Sequence, residues 1–162
     1  ENNSQTYDMI VLFEVLEHLE QPAAIISDIV NMLNDGGILI IAVPNPDGYL
    51  KGILAPVLLD MPPHHNTSWS EKTFNFLAEK YSFEKIGYAT EPLRYVHYIS
   101  YQLDVMKSFS SSKKSTFSMK IAMKILGLLE RILLPLRAPY SFTADRKHIL
   151  GQTHLVVLRK SL

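Results

Sequence analysis

Asp8-Met-Ile-Val-Leu-Phe13 and, further on, Ile38-Leu-Ile-Ile-Ala-Val43 are two nearly continuous apolar runs. Runs without polar alternation predict strands buried on both faces, as in a parallel sheet with helices on each side. Between them, Pro22 suits the first position of a helix that runs to about Leu33. Its apolar positions Ile25, Ile26, Ile29, Met32 and Leu33 follow the helical period and face one side. Asn34-Asp-Gly-Gly37 stops that helix with residues that tolerate positive φ, and Pro44-Asn-Pro46 closes the second run. Strand, helix and strand in this order make a right-handed βαβ unit, so the fold class is α/β.

Working outward, residues 46–68 are Pro-rich and irregular, with a short helix expected at Leu50 to Leu59. Trp69 and Phe74 bracket a helix start at Ser70 as a hydrophobic staple does. Phe74, Leu77, Ala78 and Tyr81 form the buried stripe of that helix. Two more strands are expected, at about Glu84 to Thr90 and at His154 to Arg159. The insert between them, about 91–148, carries a Ser/Lys-rich stretch from Ser108 to Ser118 that reads as a loop. It also carries a long helix, Phe117 to Leu134, ended by Pro135. Residues 1–162 thus read as a single partial domain: four strands with one βαβ unit, incomplete as a doubly wound sheet. Its first strand would need a cover along its edge. Residue 1 is Glu, with no leader pattern behind it, so the missing elements are expected upstream.

Composition narrows the partners. Lys plus Arg equals Asp plus Glu at 16 each, so no overall field draws the chain to nucleic acid. The absence of cysteine excludes a disulfide scaffold and thiolate metal sites, and suits a reducing, cytoplasmic setting. The longest apolar run, Ile121 to Leu134, is broken by Lys124, Glu130 and Arg131 and is too short and charged to span a bilayer. Lys120, Lys124, Gly127 and Arg131 make a narrow polar stripe on an otherwise apolar helix. Such a helix packs on the sheet domain, forms a homodimer, or lies in a membrane surface with its lysines among head groups.

In an open α/β sheet, ligands sit beyond the carboxyl ends of the strands. Phe13 and Glu14 end the first strand there, and Pro44 and Asn45 end the second. Glu14-x-x-Glu17-His18 places two carboxylates and an imidazole on a tight turn, where they can converge on one divalent cation. The alternative is that Glu17 and His18 only orient the following helix. His64 and His65 follow the stiff Pro62-Pro63 pair, and a histidine with a pKa of about 6.5 over the cleft serves as a general base. The alternative there is helix capping or packing. Tyr95, Tyr98 and Tyr101 either line an acceptor pocket or pack the insert. His97, His148 and His154 lack a partner pattern and read as structural or exposed.

Three segments carry a family resemblance. Tyr7 to Leu19 resembles the fourth strand and following loop of class I S-adenosylmethionine-dependent methyltransferases. Asn34 to Asn45 resembles their fifth strand, and Pro62-Pro-His-His-Asn-Thr-Ser-Trp-Ser70 with Tyr81-Ser-Phe83 is similar to a bacterial subgroup acting on small molecules or polysaccharide precursors. The resemblance implies a Rossmann-like sheet of order 3-2-1-4-5-7-6 with an antiparallel last strand. This chain would supply strands 4, 5, 6 and 7, with a helical insert before the last. It further implies that Phe13, Glu14 and Val15 contact the cofactor, that Asn45, Tyr95 and Tyr98 contact the acceptor, and that His64 or His65 is the base. By similarity to metal-assisted O-methyltransferases, Glu14, Glu17, His18 and His65 would hold Mg2+.

The family's Gly-rich cofactor turn has no counterpart among the seven glycines, so the chain as given is expected to bind S-adenosylmethionine poorly. The implied reaction is methyl transfer to an oxygen of a small-molecule or sugar-linked acceptor. Nucleotide-binding dehydrogenases share the fold class without these motifs. A non-catalytic interaction module, with 117–134 as its partner surface, is the competing class.

Overall fold

A computed structural model describes residues 5–49, 62–99, 101–102, 125, 128–129, 132–133, 136, 138–145 and 149–161. The expected helix at 50–59 and the Ser/Lys-rich stretch at 108–118 lie outside these residues, as does His148. Most of the helix expected at 117–134 also lies outside them; Ile125, Leu128, Leu129, Ile132 and Leu133 are described as helical and exposed.

The elements run β1 (Tyr7–Phe13), a 3-10 turn (Leu16–His18), α1 (Pro22–Met32), β2 (Leu33–Pro44), α2 (Glu71–Lys80), β3 (Phe83–Pro92) and β4 (Leu150–Lys160). They form one four-stranded sheet of order β1-β2-β4-β3. β1 and β2 are parallel, joined through α1, and β4 runs antiparallel to β2. This is the 4-5-7-6 half of the expected order, with the last strand reversed.

The molecule divides into two compact units. The first comprises 1–46, 57–91 and 152–162; the second comprises 47–56 and 92–151. The first unit has its core on one side of the sheet. Ile26 and Ile29 of α1 and Phe74, Leu77 and Ala78 of α2 pack over Leu39, Ile41 and Val43 of β2 and Val156 and Leu158 of β4. Ile10 and Leu12 of β1 join them from the edge.

β1 departs from the sequence reading. Its alternate residues Met9 (54% exposed), Val11 and Phe13 (58%) face outward, so only one face of the strand is buried. The reason is that α1 and α2 contribute to the same core, on the face of Ile10 and Leu12. An apolar run reports composition, whereas burial depends on what packs against it. On α1 the same correction applies: Ile26 and Ile29 are buried, but Ile25 and Met32 are exposed.

The glycine stop is absorbed into β2. Tyr7 pairs with Leu33 and Met9 with Ile38, so Asn34 to Gly37 bulge out of the ladder. Gly36 sits at φ +77, and a Cβ on Gly37 would lie 2.7 Å from the Asn34 carbonyl oxygen. Asn34 Nδ2 donates to Asp8 Oδ1 at 2.8 Å, tying the bulge to β1. The carbonyls of Val30 and Leu33 at the end of α1 accept from Lys160 Nζ at 3.1 and 2.8 Å, a cation where the helix dipole favours one.

At α2 the sequence signals are realised. Ser70 Oγ accepts from the Thr73 N–H and Thr73 Oγ1 accepts from the Ser70 N–H, each at 3.3 Å, a capping box. Trp69 stacks on Phe74 at 6.0 Å between ring centroids. Among the described residues, no helix is long and apolar enough to cross a membrane.

Candidate functional site

The parallel pair β1–β2 fixes one working edge, where both strands end. β1 leaves the sheet at Glu14, whose φ of +51 lies in the left-handed region and whose N–H donates to the Ala42 carbonyl at 2.8 Å. That turn sends the chain into Leu16–His18, where Leu16 and Glu17 are fully buried. Strain of this kind costs about 1 kcal/mol for a non-glycine residue and concentrates at functional turns.

The Pro62–Ser68 loop is stitched to this turn by five hydrogen bonds. The N–H groups of Asn66 and Thr67 both donate to the Glu17 carbonyl, at 2.7 and 3.2 Å. Asn66 Nδ2 donates to the His18 carbonyl at 2.9 Å, and Thr67 Oγ1 to the Leu16 carbonyl at 3.0 Å. His18 Nδ1 lies 2.6 Å from the His64 carbonyl. Trp69 Nε1 donates to Thr67 Oγ1 at 2.9 Å and steadies the loop from behind. Thr67 and Asn66 thus build the site, yet neither stood out in the sequence, because their partners are backbone carbonyls.

A cleft of about 170 Å³ opens between the turn, the loop and the end of β2. Glu17, Pro44, Asn45, His65, Thr67 and Trp69 line it. The two motifs therefore meet on one cleft, together with Asn45. Glu17 is 2% exposed, and among the described residues neither of its carboxylate oxygens has a hydrogen-bond partner. A buried ionised carboxylate without donors is costly, so its presence asks for a cation or a proton.

Two imidazoles stand beside it. A carbonyl only accepts, so neutral His18 carries its proton on Nδ1, toward His64, and presents a lone pair on Nε2. That Nε2 is 3.8 Å from Glu17 Oε1. The His65 ring meets the His18 ring edge-on at 4.9 Å. One ligand atom each from Glu17, His18 and His65 lies within 4.8 Å of the others. Glu14 stands outside this trio. Loss of hydration, then the neighbouring Glu17 carboxyl, pushes its own carboxyl up to about 7. The His64 side chain is exposed; its contribution to the trio is the backbone carbonyl.

The donor set bears on the expected Mg2+. Two imidazole nitrogens and one carboxylate suit a borderline ion such as Zn2+ or Fe2+ better than magnesium, which prefers carboxylate and water oxygens.

The cofactor expectation falls on Phe13, Glu14 and Val15, all exposed at the end of β1. Tyr95 and Tyr98 belong to the second unit. There Tyr98 is fully buried; its hydroxyl donates to Asp145 Oδ2 at 2.7 Å and accepts from Gln102 Nε2 at 2.8 Å. Burial raises its phenol above the ordinary value. Tyr95 is exposed, with its ring edge-on to Phe142 at 5.4 Å. His97 stacks on Tyr49 in the same unit, at 5.4 Å.

Sheet order, reversed last strand and strand-end cleft together define the class I methyltransferase type of Rossmann-like fold. A family model described as a methyltransferase domain matches residues 1–87, and the chain belongs to that family. No curated protein matches it. Among solved structures, it is similar to a candidate sarcosine dimethylglycine methyltransferase from Galdieria sulphuraria, at 16% identity over 97% of this chain and 54% of that one, TM-score 0.49. A SAM-dependent methyltransferase from Archaeoglobus fulgidus matches at 13% identity over 96% and 60%, TM-score 0.49. The cyclopropane synthase MmaA2 from Mycobacterium tuberculosis matches at 14% over 97% and 56%, TM-score 0.48. The chain spans between half and two thirds of the length of these three structures.

Proposed function

We propose that the protein containing this chain transfers a methyl group from S-adenosylmethionine to an oxygen of a small-molecule or sugar-linked acceptor. One observation carries the reading. A buried carboxylate with no hydrogen-bond donor and two imidazoles converge on the cleft at the working edge of a methyltransferase-family sheet. Attack on a sulfonium methyl needs in-line positioning and, for a hydroxyl nucleophile, removal of its proton. Amine acceptors lose a proton more readily, so a site built around proton acceptance favours oxygen.

Within this reading, the acceptor hydroxyl enters the cleft past Asn45, and His65 receives its proton, with the charge that develops on the ring offset by Glu17. Phe13, Glu14 and Val15 form the cofactor-facing lip at the end of β1. The orphaned Glu17 oxygens favour a second form of the same chemistry: Glu17, His18 and His65 hold a divalent ion, which would lower the pKa of the acceptor hydroxyl as a Lewis acid.

The test is a screen of hydroxylated small molecules and sugar-linked acceptors with the full-length protein and methyl-labelled S-adenosylmethionine, with the product position read by NMR. The expected product is a methyl ether or ester. A methyl group found on nitrogen or carbon overturns the oxygen assignment. Prior chelation separates the two forms: activity that survives it leaves His65 acting as the base, and activity restored only by added metal identifies the ion.

A further inference from the structure

Leu128, Ile132, Ile125, Leu136, Leu129 and Leu133 recur at the helical spacing and are all exposed, Leu136 at 78%. The described positions span an arc of about 140° at 100° per residue, the width of a full amphipathic face. Tyr140, one turn beyond Leu136, is 84% exposed. A stripe this long and this apolar, left in water, marks an interaction surface.

The sequence around the stripe says what kind of partner fits. Between residues 113 and 137 there are six basic residues, Lys113, Lys114, Lys120, Lys124, Arg131 and Arg137, against the single acid Glu130. The protein as a whole has no net charge. The excess positive charge thus falls in the stretch of sequence that contains the apolar stripe. A second copy would bring two like-charged stretches together, which opposes association. An anionic lipid surface takes both features at once, burying the apolar face among acyl chains and drawing basic side chains to head groups. Tyr140 has the amphipathic ring that settles at the head-group level. The stripe lies on the surface and does not cross it, since no helix among the described residues is long and apolar enough to span.

We propose that the stripe Ile125–Leu136 docks the protein on an anionic membrane surface, with Tyr140 at the interface. The proposal stands apart from the methyl-transfer reading, because vesicle binding requires no turnover.

The experiment is flotation of the full-length protein with vesicles of phosphatidylcholine alone or with 30% phosphatidylglycerol, at low and high salt. Binding is expected to the anionic vesicles and to weaken as salt rises. Ile132→Asp, at an exposed position, is expected to weaken partitioning by at least about tenfold. Lys120→Ala and Lys124→Ala are each expected to weaken it by about fivefold, the equivalent of one basic residue at the surface. Unchanged circular dichroism shows that each variant is folded. Failure of the wild-type protein to float with anionic vesicles overturns the proposal. So does equal binding to both vesicle types, or a dimer in ultracentrifugation that Ile132→Asp dissolves while vesicle binding persists.

Discussion

Glu17 and His154 are the two buried polar or charged side chains among the described residues, and they are kept in opposite ways. His154, on β4, lies under α2: its Nδ1 is 2.9 Å from the Tyr88 hydroxyl, and its ring leans on Phe74 at 5.1 Å and Tyr88 at 5.7 Å. It is partnered by polar and aromatic neighbours and does the work of a core residue. Glu17, at the end of the neighbouring parallel pair, is equally buried but has no donor on either oxygen. Its backbone carbonyl is doubly bonded to the Asn66 and Thr67 N–H groups, so the main chain is fixed while the carboxylate is held ready. Burial is common to both positions; His154 is tied to its neighbours through Nδ1 and its ring face, whereas no hydrogen bond among the described residues ties the Glu17 carboxylate.

The comparison breaks first at the structural end. His154→Ala removes a packed ring and its bond to Tyr88, and is expected to cost about 3 kcal/mol, as other large-to-small core changes do. Urea denaturation of the full-length protein reads this directly. Glu17→Gln keeps the shape and the backbone bonds and removes a buried charge, so its stability is expected to stay within about 1 kcal/mol of wild type. A large loss in Glu17→Gln would make Glu17 a structural residue and remove the contrast.

At the chemical end, His65→Ala is expected to lower kcat by about a hundredfold, the usual contribution of a positioned acid or base. The KM for S-adenosylmethionine is expected to move by less than about twofold, since His65 lies on the acceptor side of the reading. Equal losses in both would assign His65 to packing. Thr67→Val has a smaller expected effect: it removes the bond to the Leu16 carbonyl and the acceptor for Trp69 Nε1, at about 1–2 kcal/mol of stability by denaturation. If the loss is negligible, the other bonds between loop and turn, from the Asn66 and Thr67 N–H groups, Asn66 Nδ2 and His18 Nδ1, suffice to hold the loop.

These outcomes bear on what the sequence could announce. The βαβ unit, the helix start at Ser70, the staple of Trp69 on Phe74 and the Glu-x-x-Glu-His and Pro-Pro-His-His motifs were legible, because each is a side-chain pattern with a local cause. The junction between the two motifs was not. It is made by carbonyls of Leu16, Glu17, His18 and His64, and every residue has a carbonyl. Nor could the sequence separate Glu14 from Glu17: the two are three residues apart, and the left-handed turn at Glu14 sends one to the surface and the other inside. The one-sided burial of β1 was hidden for a different reason: Met9, Val11 and Phe13 are as apolar as Ile10 and Leu12, and α1 and α2 cover only the latter. For Tyr98 the spacing left an acceptor pocket and packing of the insert both open; it is buried, and its hydroxyl donates to Asp145, far along the chain.

The smallest expected effect belongs to Glu14, whose carboxyl is pushed up by loss of hydration first and by the neighbouring Glu17 second. A carboxyl at about 7 in the folded chain, against 4.5 for the ordinary group, binds a proton on folding at pH values between the two. The folded state holds more protons than the unfolded state there, so the stability linked to Glu14 falls as pH rises through that window. It is fully present below about 4.5 and lost above about 7. Glu14→Gln mimics the protonated form and should not show the decline. In chelator-treated protein, the Tm difference between Glu14→Gln and wild type is therefore expected to be near zero at pH 4.5 and to grow in favour of the variant up to pH 8. Solvent around the exposed Glu14 side chain screens the effect and keeps it small. A flat difference across the range would mean that the two carboxylates do not communicate, and that Glu17 is satisfied by some other group.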